Sequence, residues 1–101
     1  MRTSEYRAWL QMRISEKGAK DKISRCKKVE MALSTDLDAE YKKDKGGSVL
    51  AVLRYSTEDE RNNVPAPPEF KFKEGSHIRF RMTDLRSATK DYFKFCQEVK
   101  F

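Results

Sequence analysis

The sequence predicts a mainly α protein: a compact bundle of four to five helices, with one small β-hairpin near residues 70–82, forming a single domain over residues 1–101. Three observations carry that prediction. Apolar residues recur at helical spacing, most clearly Ala19, Ile23, Cys26, Val29 and Leu33. Ser15, Asp36 and Ser56 stand where helices need N-caps, and Gly46-Gly47 where one needs a stop. The chain has 101 residues, 38% of them apolar and 11% aromatic, which supplies one small core.

The elements follow in order. Thr3 or Ser4 caps a first helix running to about Met12, with Tyr6, Trp9 and Leu10 sharing a face. Ser15 caps a second helix from about Glu16 to Leu33, and Glu16 in its first turn suits the helix dipole. Asp36 caps a short helix bearing Leu37 and Tyr41, which Gly46-Gly47 ends. Ser48 starts the short apolar segment VLAVLRY, and Ser56 caps one more acidic turn, TEDER. The prolines of NNVPAPPE forbid a helix and make a loop. In FKFKEGSHIRFRM, Phe70, Phe72, Ile78, Phe80 and Met82 alternate with Lys and Arg around a Gly-bearing turn, which predicts the hairpin. Thr83 or Asp84 then caps a last helix whose apolar arc is Leu85, Ala88, Tyr92, Phe95, Cys96 and Val99.

Formal net charge is +6, which draws the protein toward polyanions or an acidic protein surface. The charge is uneven. Residues 1–34 carry nine Lys/Arg and four Asp/Glu (+5), residues 35–69 five and eight (−3), and residues 70–101 eight and four (+4). No long apolar run marks a signal peptide or a membrane span, so a cytoplasmic protein is the expectation. Cys26 and Cys96 both fall on apolar arcs, the usual place of reduced core thiols.

Catalytic signals are missing from the sequence. His77 stands alone, neither cysteine has a neighbouring base, and no metal-ligand spacing or phosphate-binding glycine loop occurs. The expectation is a protein that is not an enzyme and takes no cofactor and no metal.

Three basic patches are the remaining signal. Lys17, Lys20, Lys27 and Lys28 gather around Ser24 on the outer face of the second helix. Lys71, Lys73, Arg79 and Arg81 lie on the outer face of the expected hairpin. Arg86, Lys90 and Lys94 form a stripe on the last helix. At about 100° per residue Phe93 falls in that stripe, within about 60° of Arg86 and Lys90, where its ring could stack on a base.

EYRAWLQMRISEKGAKDKISRCKKVEMAL resembles the opening of the SAM-like core-binding domains of tyrosine recombinases and phage integrases. Tyr6, Trp9 and Leu10 match the first helix of that family, Ile14-Ser15 its cap, and Lys20 to Lys28 the part that faces DNA. DLRSATKDYFKFC is similar to the closing helix of small helical modules in bacterial and prophage proteins, some joined to restriction-type endonucleases, through Leu85, Arg86, Ser87, Ala88, Tyr92 and Phe95. Together the two stretches span roughly half the chain. Arg13 stands where a turn glycine is frequent and Gly18 where Thr or another helix former is frequent, and the recombinases' catalytic Arg, His and Tyr set is absent. The resemblance implies a SAM-like bundle that binds double-stranded DNA without chemistry of its own.

The leading expectation is therefore a DNA-targeting module, alone or serving a larger nuclease or recombinase. The alternatives are a phage- or prophage-type protein that binds and inhibits a defence complex, and a toxin-neutralising partner.

Overall fold

The computed structural model describes residues 1–73 and 77–99. These described residues form six α-helices: α1 (Thr3–Gln11), α2 (Glu16–Leu33), α3 (Leu37–Asp44), α4 (Gly47–Val52), α5 (Thr57–Arg61) and α6 (Ile78–Glu98). A single 3-10 turn, Pro68–Phe70, interrupts the proline loop. Among the described residues no helix is long and apolar enough to cross a membrane.

Local chemistry explains the helix ends. The Ser15 hydroxyl accepts the Gly18 N–H (3.2 Å) and opens α2. Asp36 caps α3, and Ser56 with Asp59 forms a reciprocal capping box on α5. α3 ends on Lys45 and Gly46, both in the left-handed region (φ 58° and 81°). α4 begins at Gly47, one residue before the expected cap. The Ser48 hydroxyl instead donates back to Asp44, closing the α3–α4 corner.

α6 is the axis of the fold, and all five other helices pack on it. Along one side, Ala19, Ile23, Cys26 and Val29 of α2 meet its buried arc. At its C-terminal end Tyr6 and Trp9 of α1 join Tyr92 and Phe95 in an aromatic cluster. Tyr6 stands edge-on to Tyr92, with centroids 4.9 Å apart. The polar tips of this cluster are satisfied. Tyr6 donates to the Ala88 carbonyl (3.3 Å), while Tyr92 donates to Asp38 and accepts the Arg2 N–H (2.9 Å). Cys26 and Cys96 are buried and free, as their apolar arcs predicted. Burial pushes the Cys26 thiol up to about 12.

The expected hairpin does not form. Residues 78–82 are the first turn and a half of α6, which starts at Ile78 and not at Thr83 or Asp84. No strand occurs among the described residues, and the expected turn at residues 74–76 lies outside them. The alternation of Ile78, Phe80 and Met82 concealed a helical period. Ile78, Met82, Leu85 and Thr89 run at spacings of four, three and four, and all face inward, whereas Phe80 is 52% exposed.

Candidate nucleic-acid interface

The lysine face of α2 forms as the sequence predicts. Lys17, Lys20, Ser24, Lys27 and Lys28 are all exposed, opposite the buried arc of Ala19, Ile23, Cys26 and Val29. Lys28 also lies over the Phe72 ring, 5.9 Å from its centroid.

The last helix departs from expectation at Phe93. Its ring is 6% exposed and belongs to the core. It packs beside Tyr41 of α3 (centroids 6.1 Å apart) and against Gly46, where a Cβ would stand only 2.1 Å from a ring carbon. The helical wheel had α6 packed on one side. α3 and α4 cover a second side, and glycine at the corner lets the ring lie flat on the backbone. Phe93 cannot stack on a base.

Two further site residues also change role. Arg79 lies on α6, not on a hairpin. It is half-buried, with Nε bonded to the Glu60 carboxylate and the guanidinium over the Phe80 ring. Arg81 is on the first turns of the same helix and is exposed. Phe80, flanked by Arg79 and stacked on His77 (centroids 4.8 Å apart), is the exposed aromatic of α6.

Arg86, Lys90 and Lys94 line two adjoining clefts. The first, of about 530 Å³, lies between the α4–α5 connection and the middle of α6. Arg54 enters it from the end of α4 to join Arg86 and Lys90. Leu53 and Tyr55 supply apolar wall, and Thr83 and Ser87 line it from α6. No carboxylate is among its described lining residues. Lys90 also lines the second cleft, of about 850 Å³, with Lys45 and Lys94, and Tyr41 and Phe93 form part of its wall. Asp91 reaches that cleft, but its carboxylate is held by Lys22 of α2 (2.6 Å).

The two basic surfaces do not merge. Asp84 and Asp91 pair with Arg25 and Lys22 along the α2–α6 seam and separate the lysine face from the α6 stripe. Sequence reasoning missed Arg54, Tyr55, Thr83, Ser87 and Phe80. Thr83, Ser87, Lys90 and Lys94 share one helical face and were legible in principle. Arg54 is 32 positions from Arg86, and only folding brings them together.

Among the described residues, no three His, Cys, Asp or Glu side chains converge on a metal-sized site. Comparison of the chain with protein-family models, curated proteins and solved structures finds no match in any of the three.

Proposed function

We propose that this chain is a small non-catalytic DNA-binding module that contacts the phosphate backbone through its basic helix faces. One observation carries the reading: Arg54, Arg86 and Lys90 converge in a concave cleft whose described lining residues include no carboxylate. Low-dielectric walls focus the field of such a cluster, and each phosphate it neutralises releases condensed counterions. The lysine face of α2 adds a second, sequence-independent contact surface. A cytoplasmic setting, and service to a larger nuclease or recombinase, belong to the same reading, as does the resemblance of residues 5–33 to SAM-like core-binding domains. Thiolate chemistry is no part of this reading, since both cysteines are buried with pKa values raised by desolvation, the reverse of an activated thiolate.

A second reading has its own support. Met12 and Met31 are large, exposed apolar side chains, and Met31 lines a shallow cleft with Ala32 and Phe70. That suits a protein partner, as in a phage-type inhibitor of a defence complex.

Titration of the protein with short duplex DNA of arbitrary sequence at several salt concentrations tests the first reading against the second. A DNA binder is expected to lose log affinity linearly with log salt, by about 0.9 per neutralised phosphate. Failure to bind duplex even at low salt refutes the DNA reading and brings the protein partner forward.

A further inference from the structure

Among the described residues, Arg2, Arg13, Lys22, Arg25 and Arg79 each lie within ion-pair distance of a carboxylate. Arg54, Arg86 and Lys90 make no ion pair among the described residues, although they line one cleft. Three like charges held together repel, and a desolvated donor without an acceptor destabilises the fold. Arg86 Nε is such a donor: it is buried and has no hydrogen-bond partner among the described residues.

The neutral groups around it fit an oxyanion as well. Thr83 and Ser87 present hydroxyls from α6, and each can turn its proton toward a bound oxygen. The Ser56 oxygen already accepts the Asp59 N–H in the α5 cap, which leaves its proton to donate. A guanidinium with neighbouring cations and hydroxyl donors matches the tetrahedral oxygens of phosphate, whereas a flat apolar ligand would leave all of them unsatisfied.

We propose that this cleft is the seat of one nucleic-acid phosphate group, with the Arg86 guanidinium donating to its oxygens, Arg54 and Lys90 as flanking cations, and Thr83 and Ser87 as neutral donors. The proposal rests on the DNA-binding reading and makes it specific, because one phosphate is anchored here while the α2 lysines contribute only diffuse attraction. The group is either a phosphodiester within a strand or a phosphomonoester at a strand end. Three cations balance the nearly two negative charges of the monoester more fully than the single charge of the diester.

Fluorescence anisotropy with a short labelled duplex, with and without terminal phosphates, tests the seat. Arg86→Ala and Arg54→Ala are each expected to weaken binding about tenfold, the usual worth of a charge-assisted hydrogen bond. Arg86→Lys should lose nearly as much, because an ammonium cannot reproduce the planar fork. Lys27→Ala is the reference for losing one diffuse charge. Arg54 is exposed, so its variant reports on the cleft even if Arg86→Ala perturbs folding. Inorganic phosphate, followed through backbone amide chemical shifts, should move residues 54–56 and 83–90 before any on α2. Tighter binding of the terminally phosphorylated duplex, lost in the Arg86 variants, assigns the seat to a strand end. Equal binding of both duplexes assigns it to a phosphodiester. Cleft variants that bind duplex as well as Lys27→Ala does would overturn the seat and leave the DNA reading standing. Absence of duplex binding, with phosphate still moving the cleft signals, would overturn the DNA reading and keep the cleft as an oxyanion seat, with a phosphorylated peptide as the next ligand. Absence of both effects removes the two together.

Discussion

The two basic surfaces of this protein carry similar charge and differ in shape. On α2, four lysines surround Ser24 on the convex, fully wetted outer side of a helix. Each ammonium there is solvated, and its field is screened within about 10 Å at ordinary salt. Beside α6, Arg86 and Lys90 with Arg54 of the α4–α5 connection line a cleft walled in part by Leu53 and Tyr55, and one guanidinium nitrogen is out of water altogether. The lysines can attract a polyanion but cannot fix its position. The cleft can hold one group at one place. Charge content therefore does not rank binding surfaces; concavity and desolvation do.

The largest test of that contrast acts through the scaffold of the cleft. Phe93→Ala is expected to destabilise the fold by about 3–5 kcal/mol, as truncation of a buried Phe does, measured by urea unfolding. Because Phe93 joins α6 to the α3–α4 corner, the variant should also loosen the cleft while leaving the α2 lysines in place. An unchanged unfolding midpoint would show that the α3–α4 corner does not depend on this ring.

Gly46→Ala approaches the same joint from the backbone. A residue at φ 81° with its Cβ 2.1 Å from the Phe93 ring has to shift the ring or the corner. The expected cost is about 1–3 kcal/mol. In the double variant the clash is gone, so the two losses should sum to more than the loss measured for the pair. Strict additivity would mean that glycine and ring act independently.

The α2 face has a different signature. Lys27→Ala with Lys28→Ala should leave thermal stability nearly unchanged and flatten the salt dependence of DNA binding by about two units. Arg86→Ala should flatten it by about one unit yet lower affinity more. The reverse ranking would make the convex face the main contact surface.

The smallest effect separates stability from binding. Both basic surfaces consist of Lys and Arg, which keep their charge through acid pH, so loss of stability on the acid side has to arise elsewhere. The hydrogen bond from the Met1 ammonium (2.7 Å) holds the Asp36 carboxyl below its usual range. A carboxyl lowered on folding contributes stability above its unfolded pKa of about 4, and that contribution is lost as pH falls through the folded value. Stability should therefore drop on the acid side of about pH 4, and Asp36→Asn should reduce that drop. A drop of the same size in the variant would assign it to other carboxylates.

The sequence by itself determined the elements whose signals are local. The bounds of α2, Glu16–Leu33, are those its cap and periodicity predict, and the Ser56 box and the Asp36 cap are where side-chain oxygens can reach the first free N–H groups. The lysine face of α2 was legible for the same reason, since one helix with one buried arc has only one outer side. Tertiary structure decided the rest. Whether residues 78–82 alternate as a strand or continue a helix depended on the core they meet, because Ile78 and Met82 satisfy both periods and only burial of Met82 with exposure of Phe80 separates them. Phe93 looked like a surface ring because a wheel drawn for one packing partner cannot foresee a second, and α6 has helices on two sides. The cleft needed Arg54 brought from the α4–α5 connection to Arg86 and Lys90. Periodicity reports which way a side chain points along its own helix, but a concave site is made by two elements, and only packing of the chain sets the distance between them.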